Sequence, residues 1–273
     1  MKVAVLIQAR SRSTRLPGKC FLPMPFKVSE NTATQAASMP ERSTETRGGD
    51  AIAVSRELSI VERVFSQVVR SGIPSYFIIP DDDEDLKRHL IEKKLPFLTG
   101  PEDDVRERYR IAARQLQLDL IIRATADNPF TDPDHITLSL SRMNEAGADL
   151  FSFTDLPLGA AVEVFTARAL MMDTHEQKDI YREHVSLHIK HNPERFTVLH
   201  EPSPAMISWR KRTQYDGPLP RLTVDERRDY DTLVAVAARL DDDSLIGLLD
   251  LFLAMPVLFE GNRDVEQLRF DRG

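Results

Sequence analysis

The residues with the clearest chemical promise lie at positions 8–19, Gln8-Ala9-Arg10-Ser11-Arg12-Ser13-Thr14-Arg15-Leu16-Pro17-Gly18-Lys19. Arginines 10, 12 and 15 and Lys19 alternate with small hydroxylated residues and end in a Pro-Gly turn. Guanidinium groups grip phosphate oxygens two at a time, and the backbone N–H groups of a turning loop can cradle the same oxygens. This is phosphate-binding chemistry. The spacing is not that of a Walker loop, because Gly-x-x-x-x-Gly-Lys-Ser/Thr is absent. Taken alone, the same residues also describe a solvated basic loop.

An element must hold such a loop in place, and Val3–Ile7, a short apolar run directly before it, reads as a buried strand. Further along, apolar runs alternate with segments of helical period. Ile60, Val61, Val64, Phe65, Val68 and Val69 share a helix face that Gly72 and Pro74 end. Tyr76–Ile79 reads as a strand and Asp83–Lys93 as a helix with an acidic start. Val105, Tyr109, Ala112, Ala113 and Leu116 mark another helix, Leu118–Arg123 a strand and Pro133–Ala146 a helix. Leu150–Phe153, Val162–Phe165, Phe196–Leu199 and Arg221–Val224 read as later strands, the last leading into a helix over Tyr230–Leu240. This alternation predicts an α/β fold, a mostly parallel twisted sheet with helices on both faces. Ligands of such sheets bind beyond the carboxyl ends of the strands, where the basic loop begins. Val28–Ser55, rich in Ser, Thr, Glu, Ala and Arg with little apolar periodicity, reads as an inserted surface loop in a single domain spanning 1–273.

Composition narrows the function classes. A net charge of −7 argues against a broad nucleic-acid surface, although a few arginines in one loop still create a local anion site. The one cysteine, Cys20, excludes an internal disulfide and reads as a packed thiol. The first apolar run is too short for a signal-peptide core, and Leu245–Phe259, the most apolar stretch, contains Asp250 and Pro256 and falls short of a bilayer span. A cytoplasmic protein, free of membrane, is the expectation.

Several motifs in order make the reading specific. Gln8–Lys19 resembles the Gln-Ala-Arg-x-Gly-Ser-Thr-Arg-Leu-Pro-Gly-Lys signature of the spore-coat polysaccharide biosynthesis cytidylyltransferases, relatives of the CMP-Kdo and CMP-sialic acid synthetases. Gly100-Pro101-Glu102-Asp103-Asp104-Val105 with Arg108-Tyr109, and Arg123-Ala124-Thr125-Ala126-Asp127-Asn128-Pro129, are similar to later family segments. So are Val162–Phe165, Arg182-Glu183-His184-Val185, Asn192–Phe196 and Leu222-Thr223-Val224-Asp225. The resemblance covers nearly the whole chain.

It implies a Rossmann-like nucleotide-diphospho-sugar transferase fold and a CTP-dependent cytidylyl transfer to a small acidic acceptor (a sugar acid, phosphosugar or phosphonate) with release of pyrophosphate. Arg10, Ser13, Arg15 and Lys19 are then expected to hold the triphosphate, with Arg10, Arg15 and Lys19 catalytic, and Gln8 and Ala9 to lie near the nucleoside. Asp127 and Asp225 match the family's metal-binding aspartates and imply a Mg2+ ion; without the resemblance each also reads as a turn or helix-capping residue. Arg123 is expected to help hold phosphate or to form a structural salt bridge. Glu163, Arg182 and His184 are expected near the acceptor, and the family implies a homodimer. Two alternatives remain in other classes, a nucleotide-sugar-dependent glycosyltransferase and a nucleotide-binding protein without catalysis.

The sequence departs from the family at Arg12, which replaces a small residue, at Ala126, which replaces a glycine, and in the length of Val28–Ser55. Weaker signals have plain readings. His184, His188 and His191 would share one side of a continuous helix, yet no zinc spacing of Cys or carboxylate accompanies them. Asp81–Asp85 reads as a solvated helix N-terminus.

Overall fold

The first strand, β1 (Val3–Gln8), is buried along nearly its whole length, as a run of Val, Ala, Leu and Ile in a central parallel strand should be. A computed structural model describes residues 1–28, 43–44, 54–173 and 179–267. The chain continues through β2 (Pro23–Val28), the short β3 (Ser43–Thr44), β4 (Val54–Ser59) and α1 (Ile60–Val68) to β5 (Ser75–Pro80) and α2 (Glu84–Glu92). Then come β6 (Phe97–Gly100), α3 (Val105–Leu116), β7 (Leu120–Thr125), α4 (Pro133–Ala146), β8 (Leu150–Phe153) and β9 (Glu163–Thr166). The last elements are α5 (Ala167–Met171), α6 (Ile180–Glu183), α7 (Leu187–Lys190), β10 (Val198–Glu201), α8 (Pro204–Thr213), α9 (Arg227–Arg239) and α10 (Leu245–Ala254).

Seven strands form the main sheet in the order β10-β8-β9-β7-β1-β5-β6. Only β9 runs against its neighbours, β7 and β8. The chain leaves β1 toward β5 and β6, then returns to lay β7 on β1's other edge. That reversal is a topological switch point, and it opens a crevice beyond the carboxyl ends of β1 and β7.

Side chains alternate across β1. Val5 and Ile7 join Val61, Val64, Phe77, Trp209, Leu233 and Leu249 on one face, while Ala4 and Leu6 join Tyr109, Ala112, Phe165 and Ile189 on the other. Because both faces are apolar, both need helices. Local chemistry sets the helix ends: Ser59 and Glu62 form a capping box at the start of α1, and Asp132 caps α4, with Pro133 in its first turn and Gly147 left-handed at its end. No helix among the described residues is long and apolar enough to cross a membrane.

Two expectations change. Arg221–Val224 belongs to no strand; it is an extended crossing segment in which Leu222 N donates to Leu158 O (2.7 Å) and Val224 N to Asp127 O (2.8 Å). Gly159 permits the crossing: its φ is +98°, and a Cβ there would stand 2.5 Å from the carbonyl carbon of Leu222. The flanks of the expected loop at Val28–Ser55 are strands, since β2, β4 and β3 pair antiparallel as a second small sheet. The remainder of that stretch lies outside the described residues. Tyr230 of α9 donates its hydroxyl to Pro23 O (2.6 Å), fastening this sheet to the main body.

Candidate nucleotide site

Gln8 and Thr125 are paired at the ends of β1 and β7, and Ala126 N donates to Gln8 O (2.9 Å), so both chains leave the sheet at the switch point together. Around them lies a cleft of about 720 Å³. Gln8, Ala9, Arg10, Ser13, Arg15, Lys19, Arg123, Asp127, Glu163, His184 and Asp225 all line it. Of the site residues that the resemblance implies, only Arg182 does not. Its guanidinium, more than half exposed, lies 4.0 Å from Asp104 and 3.9 Å from Asp179, and Glu183 of the same turn faces the cleft in its place.

Lys19 is the hub of one half of the cleft. Its Nζ donates to Asp127 Oδ2 (3.0 Å), to Asp225 Oδ1 (3.3 Å) and to the carbonyl of Val224 (2.6 Å). Arg15 Nη2 reaches the same Asp225 Oδ1 at 2.8 Å. Burial alone would raise the pKa of Asp127, but Lys19 and Thr125 more than offset it and hold the carboxylate below its ordinary value. The second oxygen of Asp225 is clamped by Arg221 Nη2 (2.7 Å), and Arg221 Nε is paired with the fully buried Asp229 (2.8 Å). Asp229 also accepts from the backbone N–H groups of Asp225 (2.9 Å) and Glu226 (3.0 Å), which fixes the first turn of α9 and the aim of Asp225. The sequence reading missed this clamp. Its signal was an arginine four and eight residues before two acids, visible at Arg221, Asp225 and Asp229.

The loop itself is tethered by the acidic run expected to be a solvated helix start. Asp83 is 2% exposed; it caps α2 and accepts from Ser11 N (2.7 Å) and Ser11 Oγ (2.6 Å). Asp82 likewise pairs with Arg12, whose guanidinium also meets Glu102 at 3.2 Å. The acidic run at 81–85 therefore holds the basic loop as well as starting a helix. Arg12 does not line the cleft and takes no positive φ, so the bulky replacement for a small residue is accommodated outside. Cys20 is buried under the loop with its thiol pushed up to about 12, first by desolvation and then by Asp83, which keeps it protonated.

The other half of the cleft is built on the opposite sheet face. Arg123 Nε donates to Gln8 Oε1 (3.2 Å) and its Nη1 to Glu163 Oε2 (3.1 Å). Ser186 Oγ also donates to Glu163 (2.8 Å), and Lys190 pairs with its other oxygen. Burial opposes ionisation of Glu163, yet Arg123 and then Lys190 bring its pKa down to about 2. The three histidines do not share a helix face, because the chain turns extended at His184 between α6 and α7. His188 is fully buried, bonded through Nε2 to Ala169 O (3.1 Å), and desolvation lowers its pKa to about 4, so it is a neutral core residue.

Over 236 residues the chain is 26% identical to the spore coat polysaccharide biosynthesis protein SpsF of Bacillus subtilis (strain 168), covering 86% of this chain and 85% of that one. It is 26% identical over 242 residues to an uncharacterised protein of Methanocaldococcus jannaschii, covering 88% and 85% of the two chains. A cytidylyltransferase from Leptospira borgpetersenii serovar Hardjo-bovis has the same fold, with a TM-score of 0.73 at 22% identity over 98% of this chain and 99% of that one. A CMP:2-keto-3-deoxy-manno-octonic acid synthetase solved with CTP superposes at a TM-score of 0.54 with 11% identity, over 88% of this chain and 99% of the synthetase. Residues 57–272 match the cytidylyltransferase family, and the chain belongs to that family of nucleotidyltransferases.

Proposed function

We propose that this cleft carries out cytidylyl transfer from CTP to a small acidic acceptor. The observation that carries the reading is the convergence of Asp127, Asp225, Arg15 and Lys19 at the β1–β7 switch point, where cations and carboxylates stand within hydrogen-bonding distance of one another. An acceptor oxygen forms a new bond to the α-phosphorus as the bond to the bridging oxygen breaks and pyrophosphate departs. There is little covalent work for side chains in such a displacement; positioning and charge stabilisation dominate. Arg10, Ser13, Arg15 and Lys19 hold the triphosphate, and Lys19 and Arg15 offset the charge that builds on the leaving group. Gln8 and Ala9, at the end of β1, lie against the nucleoside. On the other sheet face, Glu163 and His184 border the acceptor, with Arg123 tied to both Gln8 and Glu163 between the two halves.

Mg2+ fits this donor set. Asp127 and Asp225 turn one oxygen each toward the same ammonium group, and Mg2+ characteristically takes one or two carboxylates, completing its shell with water and substrate phosphates. When bound, it would neutralise phosphate charge. Arg221 and Asp229 hold Asp225 in that aim.

A loop with this many cations suits a triphosphate better than the diphosphate of a nucleotide sugar, which sets this reading above a glycosyltransferase. The deciding experiment is a pyrophosphate-release screen with CTP, UTP, ATP and GTP against sugar acids, phosphosugars and phosphonates. CTP-selective release with one acceptor class supports the proposal. Binding of CTP without release across the panel rejects catalysis, and equal use of all four nucleotides rejects the cytidine assignment.

A further inference from the structure

Arg108 of α3 is buried, 4% exposed, yet among the described residues its Nε and Nη1 meet no hydrogen-bond acceptor and no carboxylate forms an ion pair with it. Its side chain lines the cleft. A guanidinium is always charged at working pH, and enclosing one without a partner is unfavourable because its lost hydration is not replaced. The fold nevertheless makes room for it. Gly100, at the end of β6, has no Cβ, and one placed there would stand 2.9 Å from Arg108 Cγ. Arg10, also at the cleft, adds a like charge nearby instead of relieving the first. Desolvation lowers the pKa of Arg108, and Arg10 adds to the lowering against the opposing influence of Tyr109, Glu102 and Asp104.

The geometry points to Arg108 as an anion-binding residue of this cleft, its guanidinium taking a carboxylate or phosphate oxygen supplied by the acceptor or by the nucleotide. This rests on the cytidylyltransferase reading above. The next residue, Tyr109, donates its hydroxyl to Leu6 O (3.3 Å) and approaches Gln8 Oε1 (3.5 Å), so Arg108 sits beside the end of β1 on the sheet face that carries Gln8, Arg123 and Glu163. Helix α3 also packs against α6, whose end bears Glu183 and His184. An anion here lies in the half of the cleft away from the Lys19 hub, and it supplies the hydrogen-bond acceptor that Arg108 Nε and Nη1 lack.

The test measures calorimetric affinities of wild type, Arg108→Gln and Arg108→Lys for four probes. CTP with Mg2+ and inorganic pyrophosphate represent the nucleotide; glucuronate and glucose 6-phosphate represent a sugar carboxylate and a sugar phosphate. Loss of a charge-assisted bidentate contact should weaken the responsible arm about ten- to a hundredfold in Arg108→Gln, with partial retention in Arg108→Lys. Weakening confined to CTP and pyrophosphate assigns the anion to the nucleotide; weakening confined to glucuronate or glucose 6-phosphate assigns it to the acceptor. The melting temperature of the unliganded Arg108→Met variant should hold or rise, because a buried uncompensated charge is removed. Wild-type binding of CTP together with unchanged affinities for all four probes in Arg108→Gln overturns the assignment, and a lowered melting temperature in that case marks Arg108 as structural. Failure of wild type to bind CTP would instead reject the cytidylyltransferase reading itself.

Discussion

Lys19 and Asp127 are separated by 108 positions in the chain and by 3.0 Å in space. Asp225 comes to the same ammonium from 206 positions away. Each carboxylate would repel the other without the lysine, and each is delivered by a different connection at the same sheet edge.

Lys19→Ala should weaken CTP binding about ten- to a hundredfold, the equivalent of losing charge-assisted contacts of roughly 1.5–3 kcal/mol. Calorimetric titration checks this, and an affinity equal to wild type would remove Lys19 from the triphosphate grip. The substitution also leaves Asp127 and Asp225 without the ammonium they share, so the unliganded variant should melt lower.

Asp127→Asn keeps the shape of the side chain and removes its charge. CTP should still raise the melting temperature, but the further increment on adding Mg2+ should vanish. A Mg2+ increment as large as that of wild type would mean the ion is held elsewhere.

Asp83 links the basic loop to α2. Asp83→Ala removes a helix cap and two bonds from Ser11, and should cost about 2 kcal/mol or more in a denaturant melt. Ser11→Ala removes only the hydroxyl bond and should cost about 1 kcal/mol. Both should loosen CTP binding, the aspartate more than the serine. The order of the two effects is the check, and a larger loss from Ser11→Ala would contradict the tether.

Glu163 supplies a pH signature. Its pKa is depressed in the folded protein to about 2 from an ordinary 4.5, so the folded state favours the ionised form. Its contribution is therefore complete above about pH 4.5 and is lost as the pH falls toward 2. In melting curves across this window, wild type should lose more stability than Glu163→Gln, and the two curves should converge at the acid end. Parallel curves would show that Arg123 and Lys190 contribute no stability through Glu163.

Much of the scaffold was legible because its signals are local. The apolar run of β1, the capping residues of α1 and α4 and the period of α3 depend on neighbours within a few residues. Arg221–Val224 misled for the same reason. Its composition is that of a strand, but Gly159 lets a loop approach so closely that the segment bonds to Leu158 and Asp127 instead of joining the ladder. Asp81–Asp85 misled in the opposite sense, since local pattern gives a helix start and cannot show that Ser11 and Arg12 arrive from the end of β1, the neighbour of β5 in the sheet.

By itself the sequence determined the chemistry available after β1, a cluster of arginines, a lysine and hydroxyls ending in a Pro-Gly turn, together with the alternation that builds a parallel sheet. Only the tertiary structure decided which of those cations face the cleft, that Arg12 turns outward to Asp82 and Glu102, and that Arg221 and Asp229 aim Asp225 at Lys19. The physical reason is range. Propensity and periodicity act over a turn or two of chain, whereas the partner of a buried charge is chosen by whichever strand end the crossover connections bring beside it.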